Sequence, residues 1–275
     1  MKIEKIEAIY GAICGDIIGS AYEFRGVDER ILKMWSYRCR FTDDTVCTIA
    51  ITDWLTHDGA DPSEYLIKYA RMYPTAGYGR SFGLWSVSPN PQPYNSCGNG
   101  SAMRVSAVGC IAETVDEAME LAKKSAECTH NHPEGIKGAQ AIAVAIVLAK
   151  QGKNKGEIKE TLKRLFDSNK DDEFPYRLDR TYEDLRKAEY KFNVLCQTTV
   201  PESLICFFES DSYEDAIKKA MLTNKDTDTA ACIAGAVAGA YYGVPDDYIQ
   251  KMVAYLPENF IEVIDNFEDK IHGAN

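Results

Sequence analysis

Asp226-Thr227-Asp228-Thr229-Ala230-Ala231-Cys232-Ile233-Ala234-Gly235-Ala236-Val237-Ala238-Gly239-Ala240-Tyr241-Tyr242-Gly243 is an acidic cluster followed by an unbroken run of small and apolar residues. The apolar part, Ala230–Val244, is too short for a bilayer, which needs about 20 such residues. It reads instead as a helix over Asp228–Tyr242 buried in a protein core. Gly235, Gly239 and Gly243 recur at a spacing of four. A glycine inside a helix costs about 1 kcal/mol relative to alanine, so such a stripe needs a reason, and close approach of a second helix backbone is one. Gly11, Gly15 and Gly19 repeat the spacing near the N-terminus, inside the helical pattern of Ile6, Ile9, Tyr10, Ile13 and Ile17. The two stripes are expected to pack together. Glu23, four residues after Gly19, would then be carried towards the start of the second helix.

Outward from that pair, the chain is mostly helical in pattern. Val46, Ile49, Ala50 and Trp54 share one helical face. Val115–Ala126, Ile136–Ala149, Lys155–Phe166, Leu178–Lys191 and Ser212–Leu222 read as further helices, and strand candidates are few and short. Gly and Pro punctuate a long irregular stretch, Pro74–Gly100, whose aromatics Tyr78, Phe82, Trp85 and Tyr94 argue for order. Gln151–Arg186 is rich in Lys, Glu and Asp and reads as two solvated helices joined by a loop. There is no linker, low-complexity run or long repeat, so the expectation is an all-α chain forming a single domain over residues 1–275.

Composition narrows the function classes. The 31 Lys and Arg against 42 Asp and Glu give a net charge of −11, with no basic run. Binding to a nucleic-acid backbone rests on cations neutralising phosphates, so it is not expected. Hydrophobic residues at 45% and aromatics at 11% exclude a disordered chain. The 9 cysteines are odd in number, contain no CxxC pair and lie at no zinc spacing from the 4 histidines. They read as free thiols, mostly small core residues, in a reducing compartment. The alternation of charged and apolar residues in Met1–Glu7 is not a signal-peptide core. The expectation is a cytoplasmic protein with no membrane partner, monomeric by default.

Two acidic clusters stand out: Thr42-Asp43-Asp44-Thr45 and Asp226-Thr227-Asp228-Thr229. Each precedes a helical apolar segment. Either alone is explained by helix capping and by the preference of acids for the first turn. Together they are harder to dismiss, because capping needs one such side chain and adjacent carboxylates repel unless a cation lies between them. Hydroxyl and carboxylate oxygens without nearby His or Cys suit Mg²⁺, Mn²⁺ or Ca²⁺, and two converging clusters suit a binuclear site. The EF-hand pattern does not match. Gly98-Asn99-Gly100-Ser101-Ala102-Met103-Arg104 is a glycine turn opening a helix, a place where backbone N–H groups can face an anion. In Thr129-His130-Asn131-His132-Pro133-Glu134-Gly135, Pro133 suits the first turn of the next helix, with His132 near the cap. His130 fits either a ligand-facing or a core role.

These motifs, with Gly15-Asp16-Ile17-Ile18-Gly19 and Glu23, stand in the order found in the ADP-ribosylglycohydrolases, and the chain resembles that family from about Tyr10 to Gly243. The resemblance implies an all-α, roughly orthogonal multi-helix domain around a binuclear Mg²⁺ or Mn²⁺ site. It implies hydrolysis of the glycosidic bond between ADP-ribose and an acceptor, either a protein side chain or a small molecule. Thr42, Asp43, Asp44, Asp226, Asp228 and Thr229 would be metal ligands, and Glu23 the catalytic acid or base. Gly98, Asn99, Gly100, Ser101 and Met103 would hold ribose and diphosphate, and His130 would touch the same groups. Tyr78, Phe82, Trp85 and Tyr94 are candidates for stacking on adenine. The family usually carries two glycines before its second acidic cluster, where this chain has Asn224 and Lys225. A position needing φ > 0 would strain Lys225, and an ammonium beside the carboxylates would lower occupancy by the second ion. The other readings are a catalytically weakened ADP-ribose-binding or structural protein on the same fold, and a Mg²⁺-dependent hydrolase of a phosphoester or nucleotide.

Overall fold

The structure, a computed structural model, describes residues 6–57, 60–166 and 176–273. The described residues form α-helices and no strand, and the one extended pairing among them is an isolated antiparallel bridge between Gly98 and Leu195. The chain is therefore all-α, as its periodicity predicts.

At its centre lie α1 (Glu7–Ser20) and α13 (Thr227–Tyr242), both buried almost throughout. Neither has a polar face, the pattern of a helix surrounded by others. They run antiparallel in near backbone contact. A Cβ added at Gly11 would lie 2.1 Å from the carbonyl oxygen of Gly235, one at Gly15 2.2 Å from that of Ala231, and one at Gly19 2.4 Å from that of Thr227. Gly239 faces the carbonyl of Glu7 at 2.4 Å in the same sense. The stripes thus do what their spacing predicts, with one correction. Gly243 is not part of the contact: it sits at the end of α13 with φ +79°, a conformation that suits glycine, and nothing lies near its Cα face.

Around this pair pack α2 (Asp43–Thr56), α5 (Gly100–Met103), α6 (Ser106–Ile111), α8 (Pro133–Lys150), α11 (Cys196–Phe208), α12 (Tyr213–Met221) and α14 (Asp246–Val253). The outer layer is α3 (Pro62–Met72), α4 (Arg80–Val87), α7 (Val115–Glu127), α9 (Lys155–Phe166), α10 (Tyr182–Lys187) and α15 (Glu258–Gly273). These outer helices bury one stripe each. In α7 that stripe is Ala118, Ala122 and Ala126, and it covers α8.

Two sequence expectations need correction. Residues 74–100 are not irregular throughout, because α4 forms there, with Phe82 and Trp85 three positions apart on its buried side. The helix expected over residues 178–191 contracts to α10. It starts at a capping box on Thr181 and Asp184 and stops at Ala188, which is extended. Beyond Ala188 the backbone is recruited elsewhere: the Lys191 carbonyl accepts from Lys225 N–H, and the Val194 carbonyl from Asn99 N–H. Tertiary pairing overrides local helical preference here. The middle of the polar segment 151–186 lies outside the described residues. All nine cysteines are free thiols, seven of them buried. No described helix is long and apolar enough to cross a membrane.

Candidate active site

The ends of three central elements meet at one point. The antiparallel contact of α1 and α13 brings the segment after α1 beside the start of α13, so Glu23 stands next to Asp226 and Asp228, with oxygens of the three within 4.8 Å of one another. Asp228 also belongs to a second triad with Asp16 and Asp44. The shared residue joins the two acidic clusters, as the sequence leads one to expect.

Asp16 explains why α2 begins where it does. It is fully buried, yet its carboxylate accepts from Thr42 N–H at 2.9 Å, Thr42 Oγ1 at 2.6 Å, Thr45 N–H at 3.1 Å and the Thr45 hydroxyl. It therefore fixes the first turn of α2, where the helix dipole favours a negative charge. Thr42 caps the helix by accepting from Asp44 N–H at 3.3 Å. Asp43 and Asp44 project past it and line a cleft of about 470 Å³, while Thr42, spent on Asp16, stands behind. Asp44 Oδ2 receives the Thr229 hydroxyl at 3.3 Å, and Asp44 Oδ1 is buried with no hydrogen-bond partner. A buried carboxylate oxygen without a donor is costly, and Asp44 stands against the carboxylates of Asp16 and Asp228.

The electrostatics follow from that crowding. Burial, and next the neighbouring Asp16, pushes Asp43 up to about 8. Burial, then Asp226, pushes Glu23 up to about 7, opposed by Arg40. Burial holds Asp226 up at about 6, against the Asn99 amide that donates to it at 2.6 Å. Asp44 and Asp228 are raised further, first by burial and then by the other carboxylates. Without a cation, such a group of acids keeps protons; hard divalent ions with oxygen ligands are the chemistry that would replace them.

Beyond these acids, no carboxylate among the described residues lines the cleft. The turn at Gly98 and Gly100 lies against His130, whose Nε2 would be 3.0 Å from a Cβ at Gly100. Arg104 is fully buried and donates from Nη2 to the Ser125 carbonyl and to Thr129 Oγ1, both at 2.8 Å. Thr129 Oγ1 lies 2.7 Å from His130 Nδ1. Thr129 Oγ1 thus ties the imidazole at Nδ1, and Nε2 faces the turn. Burial, and next Arg104, holds the imidazole well below its usual range, so it is neutral.

Of the residues singled out from sequence, Glu23, Asp43, Asp44, Asp226, Asp228, Thr229, Gly98, Asn99, Gly100, Met103 and His130 line one cleft. Ser101 does not: its hydroxyl donates to the Gly135 carbonyl at 2.7 Å and anchors the turn from behind. Of the four aromatics, Phe82 and Tyr94 line the cleft, while Tyr78 stacks on Phe82 at 5.2 Å and Trp85 packs beneath it. Both structural expectations for Lys225 fail. Among the described residues only Phe24 and Asn95 are non-glycine positions with positive φ, and the Lys225 ammonium lies 5.6 Å above the Tyr190 ring, away from the acids. Asn224 is buried and ties the turn instead, accepting from Asp226 N–H at 3.0 Å and Asn193 N–H at 3.1 Å and donating to the Asn193 carbonyl at 2.9 Å. Sequence reading missed the roles of Asp16 and Asn224. The one signal for Asp16 was an acid in the middle of an otherwise apolar glycine-striped helix.

Fold and cleft together define a class: an all-α hydrolase whose central cleft sets a group of carboxylates opposite a glycine turn. The sequence matches the profile of ADP-ribosylglycohydrolase over residues 4–274. The chain belongs to the ADP-ribosylglycohydrolase family, and is by class a hydrolase of glycosidic bonds to ADP-ribose. It is 27% identical to ADP-ribosylhydrolase ARH3 of Homo sapiens, over 89% of this chain and 88% of that one. It is 23% identical to ADP-ribosylarginine hydrolase Tri1 of Pseudomonas putida, over 89% of this chain and 73% of that one. A solved structure described as an ADP-ribosylglycohydrolase-related protein complex shares the fold, with TM-score 0.75 at 21% identity over 97% of this chain and 96% of that one.

Proposed function

We propose that this chain, working as a single domain in a reducing cytoplasm, is a divalent-metal-dependent hydrolase that frees ADP-ribose from a modified protein side chain or small molecule. The observation that carries the metal is the buried, donor-less Asp44 Oδ1 among carboxylates whose other oxygens are only partly satisfied. Asp43, Asp44, Asp226 and Asp228, with the hydroxyl of Thr229, are the donor set for two Mg²⁺ or Mn²⁺ ions, and they are the oxygen ligands these ions prefer. Asp16 positions that set through its hydrogen bonds to Thr42 and Thr45. When bound, the ions supply positive charge and Lewis acidity next to the distal ribose.

The protein's own groups divide the remaining work. The turn at Gly98 and Gly100 and the neutral His130 ring bind the diphosphate and ribose hydroxyls. Met103, Phe82 and Tyr94 supply apolar walls, and stacking on Phe82 or Tyr94 suits a purine. Hydrolysis at the anomeric carbon passes through oxocarbenium-like charge. Glu23, half-buried and held near neutral pH, exchanges a proton at its carboxyl with the attacking water or the departing acceptor.

The test is release of free ADP-ribose from arginine-, serine- and acetyl-linked substrates, with and without Mg²⁺ or Mn²⁺. Metal-dependent release from one linkage is expected. Release of inorganic phosphate or AMP in its place would assign a phosphoester hydrolase. Tight ADP-ribose binding without release would assign a binding protein.

A further inference from the structure

A second cavity, of about 390 Å³, adjoins the cleft and shares Glu23 and Phe24 with it. Its other walls carry Arg25, Arg38 and Arg40. In a chain of net charge −11, three guanidiniums around one concavity run against the overall balance. They are also largely uncommitted. Nearby cations are paired: Arg30 with Asp28 at 2.7 Å, and Arg186 and Lys218 with Glu29 at 3.6 Å each. Arg25 and Arg38, by contrast, have no carboxylate within ion-pair distance among the described residues. Arg40 has only Glu23, at 3.8 Å. Arg38 lies 5.3 Å above the exposed Tyr37 ring and donates to its oxygen, so its guanidinium is held rather than free to sweep through solvent.

Phe24 marks the border between the two cavities. It has φ +64°, a conformation rare for a bulky side chain, and is 65% exposed, with its ring 4.8 Å from that of Phe192. If ADP-ribose occupies the carboxylate-lined cleft with its scissile bond at Glu23, the acceptor passes over Phe24 into the arginine cavity. This step rests on the function proposed above.

We propose that the arginine cavity is the acceptor subsite and that it selects ADP-ribosylated polypeptides with an acidic flank, a carboxylate or phosphoryl group within a residue or two of the modified side chain. Arginine recognises both anions by paired hydrogen bonds. A nucleic-acid strand is the poorer occupant, since it asks for a row of cations along its length, whereas here the three guanidiniums gather in one concavity that also carries Glu23. The Phe24–Phe192 edge offers an apolar contact for a neighbouring side chain.

The experiment compares ADP-ribosylated peptides that differ only in the flank, with Glu, phosphoserine or Gln beside the modified residue, and the ADP-ribosylated amino acid alone. Wild-type kcat/KM is expected to be about 10-fold higher for the acidic flanks than for Gln, carried by KM and weakened by salt. The Glu and phosphoserine arms show which anion is the better fit. In the double variant Arg25→Glu/Arg38→Glu the preference disappears, while the flankless substrate is turned over as before. Equal kcat/KM for acidic and neutral flanks overturns the proposal, and so does preferential turnover of an ADP-ribosylated DNA end. A second readout does not depend on hydrolysis: anisotropy of a fluorescein-labelled, unmodified Glu-rich peptide at low salt. It is expected to bind at least about fivefold more weakly to the double variant, and equal binding overturns the groove assignment. Failure of all substrates with normal peptide binding would count against the hydrolase reading and not against the groove.

Discussion

The two sides of the cleft are built by opposite means. The floor concentrates charge: Glu23 after α1, Asp43 and Asp44 at the start of α2, and Asp226 and Asp228 at the start of α13 converge beside the backbone contact between α1 and α13. Among the described residues the wall holds no carboxylate: backbone amides of a glycine turn face a neutral His130, and the two guanidiniums that line the cleft are Arg80 and Arg104, the latter turned to Ser125 and Thr129. Such a cleft concentrates negative charge where cations and a cationic transition state are handled, and keeps carboxylates away from where the substrate itself is anionic. The floor is rigid for a reason legible in its helices, and the wall depends on one imidazole and the two glycines above it.

Breaking the floor has the largest expected effect. Asp44→Asn together with Asp228→Asn leaves the Thr42 cap of α2 in place but removes two of the central carboxylates, and kcat should fall about 1,000-fold or more, the scale of losing a preorganised electrostatic group. Activity within tenfold of wild type would detach the floor from catalysis. Glu23→Gln is expected to lower kcat by about 100-fold to 10,000-fold with KM little changed, the range of general acid–base catalysis. A change confined to KM would make Glu23 a binding residue.

The next effect is on stability. Gly15→Ala places a methyl against the Ala231 carbonyl, where only backbone movement can relieve the contact. It should cost about 3 kcal/mol, seen as a melting temperature lower by roughly 5–10 °C. An unchanged melting temperature would mean that the helices can part.

The floor also predicts a pH dependence. In the folded, metal-free protein Asp43 titrates at about 8 and Asp226 at about 6, whereas in the unfolded chain carboxylates titrate near about 4. The folded state holds protons that the unfolded state has lost, so this part of the stability is present below pH 4 and is lost as pH rises through 6 to 8. The rise in melting temperature on adding Mg²⁺ should therefore be small at pH 5 and large at pH 8. An increment independent of pH would show that these acids are not the ones that meet the ion. The smallest effect belongs to the wall. Gly100→Ala displaces the His130 ring and should raise KM by about 10-fold at constant stability, consistent with the loss of one well-placed hydrogen bond. No change in KM would remove His130 from the binding surface.

Much of the floor was legible in the sequence because it rests on local codes. Gly11, Gly15 and Gly19 announce a helix contact by spacing, and two Asp-rich clusters at helix starts announce that something beyond capping is present. Gly243 was misread because a stripe and a helix stop both use glycine, and only the backbone conformation separates them. The wall was less legible. Ser101 looks like a ligand-facing hydroxyl until Gly135 is seen behind it, and residues 189–191 look helical until Lys225 claims the Lys191 carbonyl. Lys225 looked like an intruder among the acids, and Tyr190, thirty-five positions earlier in the chain, is what draws its ammonium aside. The arginine cavity leaves no motif at all, since Arg25, Arg38 and Arg40 come together only once the segment between α1 and α2 has folded.

Calorimetric titration of Mg²⁺ into the metal-free protein at pH 8, beside the Asp44→Asn/Asp228→Asn variant, tests the central claim most directly. The account predicts saturable binding by wild type, with protons released on binding, and its loss in the variant at unchanged helix content. Equal binding by both proteins, or none by wild type, would contradict it.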